Sequence, residues 1–140
     1  MLIIISNSCS KEKQQYTLTF EATHFVTEEN IYCDPYAYYG WSVEDKDGRY
    51  KFDRSGHVVR GTISETTTAE SGDWIFIYIS VNDVFDYGSV SCKSSDGSIF
   101  LYANTDNLYI DESDSETLKH VIINDKDTII KVRELKFKII

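Results

Sequence analysis

The sequence predicts an all-β protein built as an antiparallel meander. Apolar and polar residues alternate over several short segments, the pattern of half-buried strands. Asp47-Gly48 and Asp96-Gly97 lie between such segments and supply the positive φ that tight hairpin turns require. The chain has 140 residues, of which 41% are hydrophobic and 14% aromatic, with one proline. This composition is too apolar for a disordered chain, and the length suits one domain with a real core.

The strands follow one another with mostly tight connections. Residues 74–81 are apolar on both faces, so we expect them to form the most buried strand. Residues 64–72 are rich in Thr, Ser and Glu, and we expect them to form the longest loop. The predicted strands are 16–22, 36–43, 49–53, 57–63, 74–81, 89–93, 98–104, 108–110 and 128–140.

The region before the last strand suits one short helix, near 114–122. Ser113 and Glu116 fit a capping box, and apolar residues follow them at helical spacing. Residues 121–123 are equally suited to a strand, so both structures remain open for this segment.

The last predicted strand, 128–140, changes its apolar face part-way along. Val132 has one parity and Leu135 the other. Because a strand has a period of two, the change predicts a β-bulge near Arg133 and Glu134.

Two architectures accommodate about eight antiparallel strands, a small barrel and a β-sandwich. Trp41 followed by the segment 50–56 resembles small bacterial lipocalin-like domains. The resemblance implies a barrel and places it slightly ahead of an immunoglobulin-like sandwich. No repeat or linker interrupts 16–140, so we expect a single all-β domain there.

The first 15 residues differ from the rest. An aliphatic run, Leu2 to Ile5, precedes small polar residues, Cys9 and a charged polar stretch. This pattern resembles the end of a bacterial lipoprotein signal peptide, in which cleavage precedes a cysteine that carries diacylglycerol. The run is shorter than a usual signal core, no basic residue precedes it, and Ser6 replaces the family's aliphatic residue. A protein with a merely apolar N-terminus is the alternative.

The lipoprotein resemblance implies a cellular address. Residues 1–15 would be a truncated signal and tether, and Cys9 would be the lipidation site. The protein would then lie in the cell envelope, anchored by lipid to a bacterial membrane, either periplasmic or surface-exposed. No other segment of the sequence approaches the roughly 20 apolar residues of a membrane-spanning helix.

The other two cysteines, Cys33 and Cys92, would form a pair in an oxidising compartment if Cys9 is acylated. We predict a disulfide between them. Two separately buried thiols are the alternative, because a free cysteine behaves as a small hydrophobe.

Charge and motifs disfavour several functions. The net charge of −9 repels nucleic acid. No catalytic motif, cofactor motif or metal-ligand spacing occurs, so we predict no catalytic residue, cofactor or metal. The acids at 45–48 and 111–116 suit turn and helix-capping roles better than a calcium loop. His24, His57 and His120 are scattered, and we expect ordinary surface or turn positions for them.

The most unusual segment is aromatic, and its rings are the candidate ligand-binding residues. Tyrosine and tryptophan suit carbohydrate stacking and protein hot spots. A binding role requires at least two rings to be accessible and adjacent, whereas a core strand would bury alternate rings. The candidates are Tyr32, Tyr36, Tyr38, Tyr39 and Trp41.

We therefore expect a non-enzymatic cell-envelope lipoprotein whose β-domain binds a small molecule, a glycan or an envelope protein. A secreted hydrolase or inhibitor and a structural subunit of an envelope complex are the alternatives. Two carboxylates across a cleft would favour an enzyme, and a flat apolar patch would favour a subunit.

Overall fold

The computed structural model describes residues 14–26, 36–81, 86–105, 117–124 and 128–140, with side chains for all of these except 117–124 and 128–131. None of the described residues is helical. Within these ranges there are nine strands: β1 (Gln15–Val26), β2 (Ala37–Glu44), β3 (Tyr50–Val58), β4 (Gly61–Glu70), β5 (Trp74–Val81), β6 (Asp86–Ser94), β7 (Phe100–Asn104), β8 (Thr117–Asn124) and β9 (Thr128–Lys138).

The strands form two antiparallel sheets that pack as a β-sandwich. The four-stranded sheet has the order β4-β1-β6-β7 and the five-stranded sheet the order β3-β2-β5-β9-β8. The all-β antiparallel class is confirmed, and the architecture is the sandwich rather than the lipocalin-like barrel. In neither sheet do the first and last strands pair, and the chain changes sheet after β1, β3, β4, β5 and β7.

The core lies between the two sheets. β5 is the middle strand of its sheet, and its inward residues Ile75, Ile77 and Ile79 are fully buried. Phe20 of β1 stacks on Trp41 of β2, with 5.5 Å between ring centroids, and this contact joins the two sheets. Alternate residues of β1, β2, β5 and β6 thus build most of one apolar layer.

A close approach of the sheets occurs at Gly88 on β6. A Cβ at this position would lie 2.8 Å from Cγ1 of Ile79 and 3.0 Å from Cγ1 of Val81. The same residue is fixed by hydrogen bonds, since its amide donates to Oγ1 of Thr105 and its carbonyl accepts from the Thr105 amide. Only glycine fits this contact between the sheets.

The loop predicted over 64–72 is wrong, because most of it belongs to β4. This strand lies at the edge of the four-stranded sheet and pairs with β1 throughout. An edge strand buries few side chains, so its sequence is polar although its threonines suit a strand. Its outward side chains form cross-strand contacts such as Thr23 Oγ1 to Thr62 Oγ1, at 3.0 Å.

Two predictions near the C-terminus have different outcomes. Of the two structures left open for 114–122, the described part is the strand and not the helix, since it belongs to β8, which pairs with β9; residues 111–116 lie outside the described residues. Pairing along a whole hairpin outweighs a helical spacing of three apolar residues. No bulge occurs near Arg133 and Glu134, since the register of β9 against β5 is unbroken. Apolar residues simply occupy both faces of β9. The irregular register lies instead between Val43 and Glu44.

Candidate functional site

The aromatic segment is divided between the two faces of β2. Tyr39 and Trp41 point into the core, with exposed fractions of 8% and 1%. Tyr36 and Tyr38 lie on the opposite, solvent-facing side, and each is 37% exposed. Tyr32 lies outside the described residues. Alternate burial, which is typical of a core strand, is therefore present, and two rings on one side remain accessible.

The two exposed tyrosines are joined by a histidine of the neighbouring strand. The ring of His57 on β3 lies edge-on to Tyr36, at 4.8 Å between centroids, and to Tyr38, at 5.2 Å. Tyr38 also meets Tyr78 of β5 edge to face. Tyr36, His57, Tyr38 and Tyr78 thus form a continuous aromatic row across three strands.

A depression of about 280 Å³ opens beside this aromatic row, above Gly40. A Cβ added to Gly40 would find its nearest neighbours at 3.7 to 3.9 Å, which is ordinary contact. The glycine therefore leaves open space rather than relieving a clash. The side chains that line this Gly40 depression include Tyr38, Phe76, Tyr78, Ser55, Asp53, Arg54 and Glu134.

Strand register explains how these side chains meet. Gly40 pairs with Ser55 of β3 on one side and with Tyr78 of β5 on the other. Tyr78 pairs in turn with Glu134 of β9. These four residues form one row across the sheet, in which the small residue is flanked by a hydroxyl and a ring.

The next outward row extends the depression along β2. Ser42 pairs with Asp53 of β3 and with Phe76 of β5. One wall is therefore aromatic and the other carries a hydroxyl and a carboxylate. Such a combination of apolar surface with a few polar groups is typical of small-ligand sites.

Away from the Gly40 depression, a polar pair is buried at the end of the four-stranded sheet. His24 is fully buried, so the expectation of a surface or turn position is wrong for this histidine. Its Nδ1 donates to the carbonyl of Val59, and its Nε2 lies 3.3 Å from Oδ1 of Asp86. Because the carbonyl can only accept, the proton of Nδ1 points to it, and Nε2 faces the carboxylate.

This buried pair has a structural role. Both ring nitrogens are engaged, and His24 and Asp86 are almost completely shielded from solvent. A depression lined by Arg60 and Gly61 lies beside the pair. The pair ties β1 to β6 and to the chain after β3.

Of the cysteines with a predicted role, Cys92 lies within the residues that the structure describes. Cys92 is fully buried on the inner face of β6, and burial raises the pKa of its thiol to about 12. A thiol with so high a pKa is chemically inert at neutral pH. Cys33 and Cys9 lie outside the described residues, so the disulfide and the lipid attachment stay predictions.

The acidic turn at 45–48 closes the β2–β3 hairpin. The carboxylate of Asp45 accepts hydrogen bonds from the amides of Asp47 and Arg49, both at 2.9 Å. The bond from Arg49 is the main cause of the lowered pKa of Asp45. Within the described ranges, no three His, Cys, Asp or Glu side chains are grouped so that they could hold a metal ion.

Several residues of the site were not predicted from the sequence. His57 and Tyr78 complete the aromatic row, and Asp53 and Glu134 bring carboxylates to the depression. From the sequence, no face of a strand was predicted for any of these four residues. Which of them lie together depends on pairing between distant strands, for which the sequence holds no direct signal.

Comparison with known proteins leaves the site as the main source of functional inference. No family model matches the chain, and no curated protein matches it. In the part of the chain that the structure describes, no helix is long and apolar enough to cross a membrane.

Proposed function

We propose that this chain is a non-enzymatic binding domain of the bacterial cell envelope, and that the Gly40 depression and its aromatic row bind a glycan. The observation that carries the proposal is the exposed ring of Tyr38 at the edge of an open depression. Tyr38 and Tyr36 do not fill the core, since Tyr39 and Trp41 do so from the other face of the strand.

The chemistry of the walls favours a sugar. Rings of Tyr38, Phe76 and Tyr78 offer flat apolar surface for the C–H face of a pyranose. Ser55 and Asp53 lie across β2 from that wall and can hydrogen-bond to sugar hydroxyls. The volume of the depression, about 280 Å³, suits one sugar unit whose neighbours lie along the open sheet surface.

The cellular address in this proposal rests on the sequence around Cys9. The aliphatic residues before it and the polar residues after it support a lipid anchor with a short tether. Mass spectrometry of the mature N-terminus, after expression from the native gene, tests this part. A diacylglycerol on Cys9 is expected, whereas an unmodified Cys9 within an intact chain would contradict the anchor.

Replacement of the exposed rings tests glycan binding. In the double variant Tyr36→Ala, Tyr38→Ala we expect affinity for the preferred glycan of an oligosaccharide panel to fall at least about tenfold, because stacking is lost. The melting temperature should change little, since both rings are solvent-exposed. Calorimetric titration and thermal unfolding measure the two effects.

A matched control lies on the outer face of the other sheet. Phe100 and Tyr102 of β7 are 61% and 45% exposed, so the double variant Phe100→Ala, Tyr102→Ala removes comparable rings. It should bind like the wild-type protein. Equal loss in both double variants, or no binding by the wild-type protein, would contradict the proposed site.

One observation favours a glycoside hydrolase as the second candidate function. Carboxylates of Asp53 and Glu134 both line the depression, and paired carboxylates perform acid–base catalysis in glycosidases. Product analysis after prolonged incubation separates the two functions. Cleavage that is lost in Asp53→Asn and Glu134→Gln would establish the hydrolase, and an intact glycan supports a binding domain.

A further inference from the structure

We infer that the glycan bound in the Gly40 depression carries positive charge, as an amino sugar with a free, protonated amine. This inference rests on the proposed function, because it concerns the ligand of the same depression. The observations that carry it are the placement of two carboxylates, the engagement of the nearby cations elsewhere and the aromatic wall between them.

The two carboxylates flank the depression from different strands. Asp53 lies on β3, beyond the β2 side of the depression, and Glu134 lies on β9, beyond Tyr78. The ion pairs found within the described residues use other acids, which are Glu65, Glu70, Asp73 and Asp86. Asp53 and Glu134 therefore contribute negative charge to the lining of the depression.

One cation, Arg54, also lines the depression, but its charge is shared with an acid outside it. Nε of Arg54 lies 3.4 Å from Oε2 of Glu65 on β4, and its Cζ lies 4.5 Å from the centroid of the Phe52 ring. Its guanidinium also donates to the backbone carbonyl of Asp53. Glu65 thus balances the charge of Arg54, and the carboxylates of Asp53 and Glu134 stay in excess.

The two lysines on the outer face of β9 are directed to another ring. Nζ of Lys136 lies 5.1 Å from the centroid of Trp74, and Nζ of Lys138 lies 5.9 Å from it. Lys136 pairs with Phe76, a lining residue, but its ammonium group lies over Trp74, which begins β5. The charged side chains that line the depression are thus two acids and Arg54, whose charge Glu65 balances.

An ammonium group suits this lining better than a neutral substituent. It has three donors and makes charge-assisted hydrogen bonds with carboxylates. It is also attracted to the faces of tyrosine and phenylalanine rings, which here are Tyr38, Tyr78 and Phe76. A hydroxyl or acetamido group at the same sugar position would leave the charge of Asp53 and Glu134 uncompensated.

Three oligosaccharides that differ at a single position test the inference. β-1,4-linked oligomers of glucosamine, N-acetylglucosamine and glucose, of equal length, present an ammonium, an acetamide and a hydroxyl at C2. Calorimetric titration is done at mildly acidic pH, where the amines are protonated and ordinary carboxylates ionised. We expect the glucosamine oligomer to bind at least about tenfold more tightly than the other two.

Charge variants assign the preference to the depression. Asp53→Asn and Glu134→Gln should each reduce the preference for the glucosamine oligomer, measured as the ratio of its affinity to the affinity for the glucose oligomer. Glu21→Gln is the matched control, because Glu21 is an exposed acid on the outer face of the other sheet. It should keep the full preference, which excludes a general attraction to the negatively charged protein.

The outcomes distinguish the inference from the proposed function. Equal affinity for the three oligomers, abolished by Tyr36→Ala, Tyr38→Ala, would overturn the inference and keep glycan binding. If the protein binds neither these oligomers nor any other glycan, both the inference and the proposed function are overturned. A preference that is reduced equally by Glu21→Gln and Asp53→Asn, or a linear polyamine that binds as tightly as the glucosamine oligomer, would overturn the amino-sugar assignment.

Discussion

The ring of Tyr38 meets the ring of Tyr78 edge to face, with 6.0 Å between their centroids, on the solvent-facing side of the five-stranded sheet. The two residues belong to paired strands and stand diagonally, since Tyr38 pairs with Ser80 and Tyr78 with Gly40. Their contact fixes one wall of the Gly40 depression on regular strands. A wall held in this way is preorganised for a ligand.

The contact of Gly88 with β5 predicts a large effect on stability. Gly88→Ala places a Cβ within 2.8 Å of Cγ1 of Ile79, so we expect the free energy of unfolding to fall by about 1 to 3 kcal/mol, the range for overpacked cores. Urea denaturation measures the change. In Gly88→Ala, Ile79→Ala the loss should be smaller than the sum of the single losses, and strict additivity would refute the steric explanation.

The buried pair of His24 and Asp86 predicts a second core effect. His24→Ala leaves the Asp86 carboxylate buried without its imidazole partner, which should cost about 3 to 5 kcal/mol. Asp86→Ala should cost a similar amount, and the double variant less than the sum, because the two side chains act together. Chemical denaturation of all three variants supplies the cycle. Losses below about 1 kcal/mol would show that the pair does not stabilise the fold.

The turn between β6 and β7 predicts a specific dependence on pH. Oδ1 of Asp96 accepts hydrogen bonds from the hydroxyls of Ser98 and Ser94 and from the Ser98 amide, and these bonds lower the pKa of Asp96 from 3.8 to about 2. Because the pKa of Asp96 is lower in the folded than in the unfolded state, the ionised carboxylate stabilises the fold above pH 3.8. This contribution is lost as the pH falls through about 2.

Two measurements test the Asp96 turn. Carboxyl carbon NMR shifts should titrate near pH 2 for Asp96. The difference in melting temperature between wild type and Asp96→Asn should be largest at neutral pH and shrink toward pH 2. A difference that stays constant over this range would contradict the role of the ionised carboxylate.

The proposed disulfide can be decided by thiol counting. If Cys33 and Cys92 are bridged in an oxidising compartment, labelling of the unfolded, unreduced protein should find neither thiol free. Such a bridge closes a loop of about 60 residues. On the chain-entropy model it stabilises the fold by roughly 4 kcal/mol. Two free thiols after unfolding would show that Cys92 is a buried hydrophobe of the core and nothing more.

Local signals in the sequence predicted local structure. Asp47-Gly48 and Asp96-Gly97 form the two hairpin turns predicted for them, because a positive φ at glycine is a property of the turn itself. The apolar segment 74–81 predicted a central strand, and β5 lies in the middle of its sheet, with one face buried in the core and the other half-buried.

Long-range pairing could not be predicted in this way. The edge position of β4 makes its sequence polar, so residues 64–72 had the composition of a loop. The site depends on the same kind of information. Alternation predicted that Tyr36 and Tyr38 share a face, but only the pairing of β2 with β3 and β5 brings His57 and Tyr78 to them.

The central claim, that the Gly40 depression is the binding site, is tested most directly by filling it. A Cβ at Gly40 meets only ordinary contacts, and β-branched residues suit strands, so Gly40→Val should fold with unchanged or slightly raised stability. Ser89→Val, at an outward position of β6, is the matched control. By calorimetric titration with the preferred oligosaccharide, Gly40→Val should lose binding while Ser89→Val and the wild-type protein retain it. A folded Gly40→Val protein that binds with wild-type affinity would contradict the claim.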